Sequence, residues 1–153
     1  MEVFRLSRLK YISDLSGKGA AIKGARWNSI GTEIIYTASN RSLAMAEVAV
    51  HFSLATIPDD YYMLTIFIPD NTSIITLQVN DLPSRWNQFP HNKNTQKYGD
   101  DFVNANKHCL LKIPSVVTRG DHNILINPFH SEFSKIKITA QEKFPFDERL
   151  FRP

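Results

Sequence analysis

Gly24-Ala25-Arg26-Trp27-Asn28-Ser29-Ile30-Gly31 is followed by Ile34-Ile35-Tyr36-Thr37 and by an apolar stretch from Arg41 to Leu54 that carries one acid, Glu47. The glycines bound a loop that presents an arginine, and the β-branched run reads as a short strand over Ile34–Ala38. Arg41 to Leu54 reads as a helix, with Ser39-Asn40 placed to cap it. On a 3.6-residue period Leu43, Ala46, Val50 and Leu54 share a stripe, and Glu47 falls within it. A carboxylate there costs several kcal/mol, on the order of the penalty for a buried ion, unless it is paired or hydrogen-bonded. Glu47 is therefore a candidate for chemistry or for a structural ion pair, and Arg26 is an available partner for a carboxylate or a phosphate.

Outward from this stretch the chain reads as one domain over residues 1–153, long enough to bury a full core. Val3–Arg8 reads as a strand and Asp14–Gly24 as a loop. Tyr61–Ile68 and Ser73–Val79 are two β-rich runs that suggest a hairpin or a neighbouring pair. Ser84–Asn94 is loop-like, and Thr95–Lys107 suits a polar helix that buries Phe102 and Val103, with Tyr98 beside them. Leu110–Val117 is a strand broken by Pro114, which marks an edge or a bend. Ile124–Asn127 and Ile136–Thr139 are further strands, and Phe144–Phe151 is an aromatic tail expected to fold back on the sheet. This order of strands and helices predicts an α+β fold. Arg-Trp-Asn occurs at 26–28 and again at 85–87, but nothing around it repeats, so it reads as coincidence.

Composition narrows the function. The apolar fraction of 42% and charged fraction of 22% are ordinary for a soluble protein. The net charge of +3 is mild, and the basic residues form no run, which argues against a nucleic-acid stripe. The single Cys109 cannot pair within the chain and reads as a small core residue, so a reducing, cytoplasmic setting is expected, with no signal segment and no membrane span. The five histidines stand apart without metal-ligand spacing, and neither a P-loop nor a dinucleotide fingerprint is present. Ser115, directly after Pro114, is the one hydroxyl in an unusual position. Its plainer reading is a strand-end serine bonded to backbone.

Six dispersed motifs then occur in order: Gly24-Ala25-Arg26-Trp27-Asn28 with Gly31, Tyr36, Ala44 with Glu47, Ile113-Pro114-Ser115, Asn127-Pro128-x-His130, and Phe146-Asp147-x-Arg149-Leu150-Phe151. Together they resemble the RES domain, the toxin family of Xre–RES toxin–antitoxin systems, over nearly the whole chain. Ala25 stands where that family more often has glycine, and Ile30 where proline is frequent. The resemblance implies a single-domain split mixed β-sheet like the ADP-ribosyltransferase fold, with NAD+ as a substrate in the cleft and neither a cofactor nor a metal. It places the catalytic Arg, Glu and Ser on Arg26, Glu47 and Ser115. It places NAD+ contacts on Arg26, Tyr36, Trp27, Asn28 and Ser115, although a loop tryptophan also suits the core and an asparagine the turn.

By the same resemblance the chemistry is cleavage of the nicotinamide–ribose bond, as a glycohydrolase or phosphorylase that depletes NAD+. Transfer of ADP-ribose to a protein is the alternative. A non-catalytic nucleic-acid-binding module is the contrasting class, and dispersed charge without paired surface aromatics stands against it. The implied partner is an Xre-type antitoxin, with a toxin homodimer compatible with such a complex, and with no direct contact to nucleic acid.

Overall fold

The computed structural model describes residues 1–52 and 58–151. Seven strands form one sheet: β1 (Glu2–Arg8), β2 (Ile35–Ala38), β3 (Tyr61–Phe67), β4 (Ile74–Thr76), β5 (Leu110–Pro114), β6 (His122–Ile126) and β7 (Lys137–Lys143), in the order β4-β5-β6-β2-β1-β3-β7. Only β4–β5 is parallel; every other pairing is antiparallel. The fold is thus α+β with a mixed sheet, as expected. The two halves of the sheet meet at β1 and β2, which share the single register pair Phe4↔Ala38, whereas β1 and β3 are paired along their whole length.

Among the described residues three α-helices complete the frame: α1 (Lys18–Lys23), α2 (Arg41–Ala49) and α3 (Lys93–Ala105). Asn40 caps α2 by accepting the Leu43 N–H at 2.8 Å, and Asn92 caps α3 by accepting from Asn94. The buried positions of α3, Thr95, Gly99, Phe102 and Val103, follow helical spacing.

One face of the sheet is covered by a core of Val3, Ile35, Leu64, Ile66, Leu110, Ile124 and Ile126. The opposite face carries two separate clusters. Trp27, Ile34, Leu111, Ile113 and Leu125 pack with Phe102 and Val103 of α3, while Leu6, Ala38 and Met63 pack with Leu43 and Ala44 of α2. The aromatic tail joins the second cluster as expected: Phe144 and Phe146 pack there, and the Phe146 ring sits 5.1 Å from Phe52 and 5.7 Å from Tyr61. Cys109 is fully buried, and burial, aided by Glu132, pushes its thiol up to about 11.

Several expectations need correction. β3 and β4 lie on opposite sides of the sheet and form no hairpin; β4 instead runs parallel to β5, which α3 makes possible by carrying the chain across. The Asp14–Gly24 segment contains α1. α2 ends at Ala49, so Val50 is exposed and leaves the proposed stripe, and Leu54 lies outside the described residues. The last strand begins at Lys137 and extends to Lys143. The two Arg-Trp-Asn copies meet in space, with the Trp27 and Trp86 rings 6.2 Å apart.

Candidate functional site

The sheet face between the two clusters is set by strand register. Ala38, Asn123 and Ile113 form one row across β2, β6 and β5, and Tyr36, Leu125 and Leu111 form the next row on the same face. Pro114 ends β5. The N–H groups of alternate residues point to the same side, and the Leu110 N–H bonds Ser73 beside β4. Pro114 therefore directs its donorless nitrogen past the end of β4, where no ladder bond is lost.

Ser115 follows, bonding its N–H to Asp121 O at 2.9 Å. Its hydroxyl accepts from the N–H groups of Val117 (3.1 Å) and Thr118 (3.0 Å), and donates to Glu47 Oε1 at 2.9 Å. The hydroxyl thus orders the turn, as the plainer reading has it, and also holds the acid.

Glu47 reaches from α2 toward these strands. Its Oε1 accepts from Ser115 and, at 2.7 Å, from Asn123 Nδ2. Among the described residues Oε2 takes no hydrogen bond. Asn123 was not anticipated from the sequence. The available signal was its place in β6, where alternation puts it on the same face as Leu125.

Arg26 approaches from the other cluster. Its Nη1 donates to Trp86 O (2.7 Å) and Gln88 O (3.0 Å), which ties it to the 84–92 segment. Burial draws the guanidinium below its ordinary value, while the Glu47 carboxylate and Tyr36 pull the other way. An arginine remains cationic regardless. Arg26 and Glu47 thus feel each other's charge, yet they do not form an ion pair within 4.0 Å among the described salt bridges.

The Arg26 loop is fixed by α3. Gln96 Nε2 donates to Ala25 O at 3.0 Å, and Asp100 accepts from the Ser29 N–H (2.9 Å) and hydroxyl (2.6 Å). Between them lies Gly99, where a Cβ would stand 1.6 Å from Trp27 O, so only glycine permits this approach. From the sheet side, the Tyr36 hydroxyl accepts the Trp27 N–H at 3.1 Å and donates to Asn28 Oδ1 at 2.8 Å. Burial pushes this phenol well up, opposed by the Trp27 N–H.

Trp27 is 3% exposed within the core. Asn28 is fully buried, and its Nδ2 donates to the carbonyls of Ala20, Ser29 and Thr32. These two side chains support the Arg26 loop from within. The Asn127-Pro128-x-His130 motif is likewise architectural: Asn127 bonds Asn106 and the Phe129 N–H, and His130 Nδ1 accepts from Glu132. No group of three metal-ligating residues occurs among the described residues, and none of their helices is long and apolar enough to cross a membrane.

The arrangement offers one half-open carboxylate, a guanidinium with Nε and Nη2 unbonded among the described residues, and a partly buried aromatic ring, Tyr36, that feels both charges. The RES domain family profile matches residues 2–147. A protein named "Prs ADP-ribosylating toxin" from Sphingobium sp. (strain YBL2) is 36% identical over 141 residues, covering 91% of this chain and 88% of its own. A "Toxin Res" from Photorhabdus laumondii subsp. laumondii is 34% identical over 154 residues, covering 99% of this chain and 98% of its own. A chain in the crystal structure of the M. tuberculosis MbcT–MbcA toxin–antitoxin complex shares the fold, with a TM-score of 0.71 at 16% identity over 98% of this chain and 86% of that one. With a family match across almost its full length and relatives above 30% identity over most of it, the chain belongs to the RES domain family.

Proposed function

We propose that this chain is the toxin of a toxin–antitoxin pair and that it cleaves NAD+ at the nicotinamide–ribose bond. The observation that carries the reading is the Glu47 carboxylate, gripped at Oε1 by Ser115 and Asn123 and open at Oε2. When the C1′–N1 bond breaks, its electron pair goes to the nicotinamide ring, which leaves neutral, and positive charge develops on the ribose. A fixed carboxylate stabilises that charge and accepts from a ribose hydroxyl. Arg26, with Nε and Nη2 open, suits the pyrophosphate oxygens, while the aromatic ring of Tyr36, a partly buried residue of β2, suits the nicotinamide.

With water as acceptor the products are nicotinamide, ADP-ribose and a proton; with phosphate, ADP-ribose 1″-phosphate forms instead. Transfer to a protein side chain is the second reading, favoured by the name of the Sphingobium relative. An Xre-type antitoxin would silence the enzyme by placing an acidic peptide end against Arg26. Incubation of the purified chain with NAD+, with and without phosphate and lysate, followed by product identification, tests the reading and separates the acceptors. Nicotinamide release is expected in every arm, and intact NAD+ throughout would refute it.

A further inference from the structure

Asn123 is the second residue of β6, and the residues that follow it along the strand, Ile124, Leu125 and Ile126, are buried and apolar. Across the ladder it faces Ala38 on one side and Ile113 on the other, neither of which offers a polar side chain. Its amide makes one bond among the described residues, Nδ2 to Glu47 Oε1 at 2.7 Å. An ionised carboxylate only accepts, so the amide must present its nitrogen to Glu47. A polar side chain placed in an apolar row with a single partner has that partner as its purpose.

The two donors on Oε1 differ. Ser115 is committed to its own turn through Val117 and Thr118, so its hydroxyl is a fixed point. One hydrogen bond leaves the carboxylate free to swivel about its terminal torsion, which is a broad and soft one. A second donor from a different strand removes that freedom and fixes where Oε2 points.

We infer that Asn123 is a positioning residue that locks the Glu47 carboxylate with Oε2 directed at the reacting ribose. This rests on the proposed NAD+-cleaving reading for its consequence, and on geometry alone for the lock. The titratable groups that interact with Glu47 are Arg26 on its loop and Tyr36 on β2. On the adjoining strands, Lys112 and Asp121 act on His122.

The test uses the full chain with Asn123→Ala and Asn123→Asp, each first melted to confirm folding. Hydrogen bonds to charged groups are worth enough that kcat for NAD+ should fall about tenfold to a hundredfold in Asn123→Ala, with KM changed by less than about threefold. Asn123→Asp should be nearly inactive at neutral pH and regain activity on acidification, when a protonated carboxyl can donate as the amide does. A purely structural asparagine would show no such recovery.

A second readout is independent of turnover: a crystal structure of Asn123→Ala, in which the Glu47 carboxylate should take more than one orientation while Ser115 keeps its place. A single wild-type orientation, or wild-type kcat in Asn123→Ala, overturns the inference. A reoriented carboxylate in a protein that leaves NAD+ untouched upholds the lock and refutes the proposed function instead. If Asn123→Ala does not fold, the pH recovery of Asn123→Asp decides alone.

Discussion

Arg26 commits one guanidinium nitrogen to two carbonyls of the 84–92 segment and leaves the others open, so in the proposed function its planar fork has two tasks at once. Lysine retains the charge but has no fork with which to do both. Arg26→Lys should therefore raise KM for NAD+ about tenfold to a hundredfold, corresponding to roughly 1.5–3 kcal/mol for a charge-assisted bond. Steady-state kinetics over a range of NAD+ concentrations check this, and wild-type values would make the arginine purely structural. Tyr36 allows a pH test. Its phenol is held neutral by burial in the folded chain, whereas in the unfolded chain it ionises at about 10. Above that pH the unfolded state binds fewer protons than the native state, so stability is full below about pH 10 and falls as pH rises beyond it. Tyr36→Phe should lose this part of the alkaline destabilisation, and at neutral pH cost about 1–3 kcal/mol by orphaning the Trp27 N–H and Asn28 Oδ1. Denaturant melts at pH 7 and pH 11 measure both effects.

The elements were legible where local pattern and tertiary role agreed. β1, β3 and the capped start of α2 follow directly from their residues, and the aromatic tail lies where its composition puts it. β4 was misplaced because strand partners are chosen across the molecule: Ile74-Ile75-Thr76 suits any edge, and nothing within it distinguishes β3 from β5. α1 was hidden by Gly17, Gly19 and Gly24 around six residues of weak pattern. Arg26, Glu47 and Ser115 could be singled out by motif, yet Asn123 belongs to no motif and its role depends on register. Gly99 is similar, an unremarkable helix glycine until the Trp27 carbonyl is seen against it. Gly99→Ala should push α3 off the Arg26 loop at a cost of about 3 kcal/mol, the upper end for overpacking. That lowers Tm by about 6–12 °C for a chain of this size. Activity should fall further than the lost stability explains, since the displaced loop carries Arg26; a thermal melt and kinetics equal to wild type would contradict the account of that contact.

At the scale of the molecule, the fold places two clusters on one sheet face with polar groups between them. α3 and the Arg26 loop bring a cation from one side, α2 brings an acid from the other, and the turn after β5 together with β6 supplies the donors that hold the acid. In the proposed function Glu47 is the group on which activity turns. Glu47→Gln tests this most directly, because the amide oxygen still accepts from Ser115 and Asn123 while the open oxygen becomes a neutral NH2. The measurement is NAD+ consumption by purified wild type and Glu47→Gln, at matched concentration and with melting curves recorded on the same samples. The account predicts NAD+ loss with nicotinamide release by wild type, and a decrease of at least about a hundredfold in the variant at unchanged Tm, the scale for losing one electrostatic stabiliser of a transition state. Equal turnover by the two proteins, or no turnover by either, would contradict it.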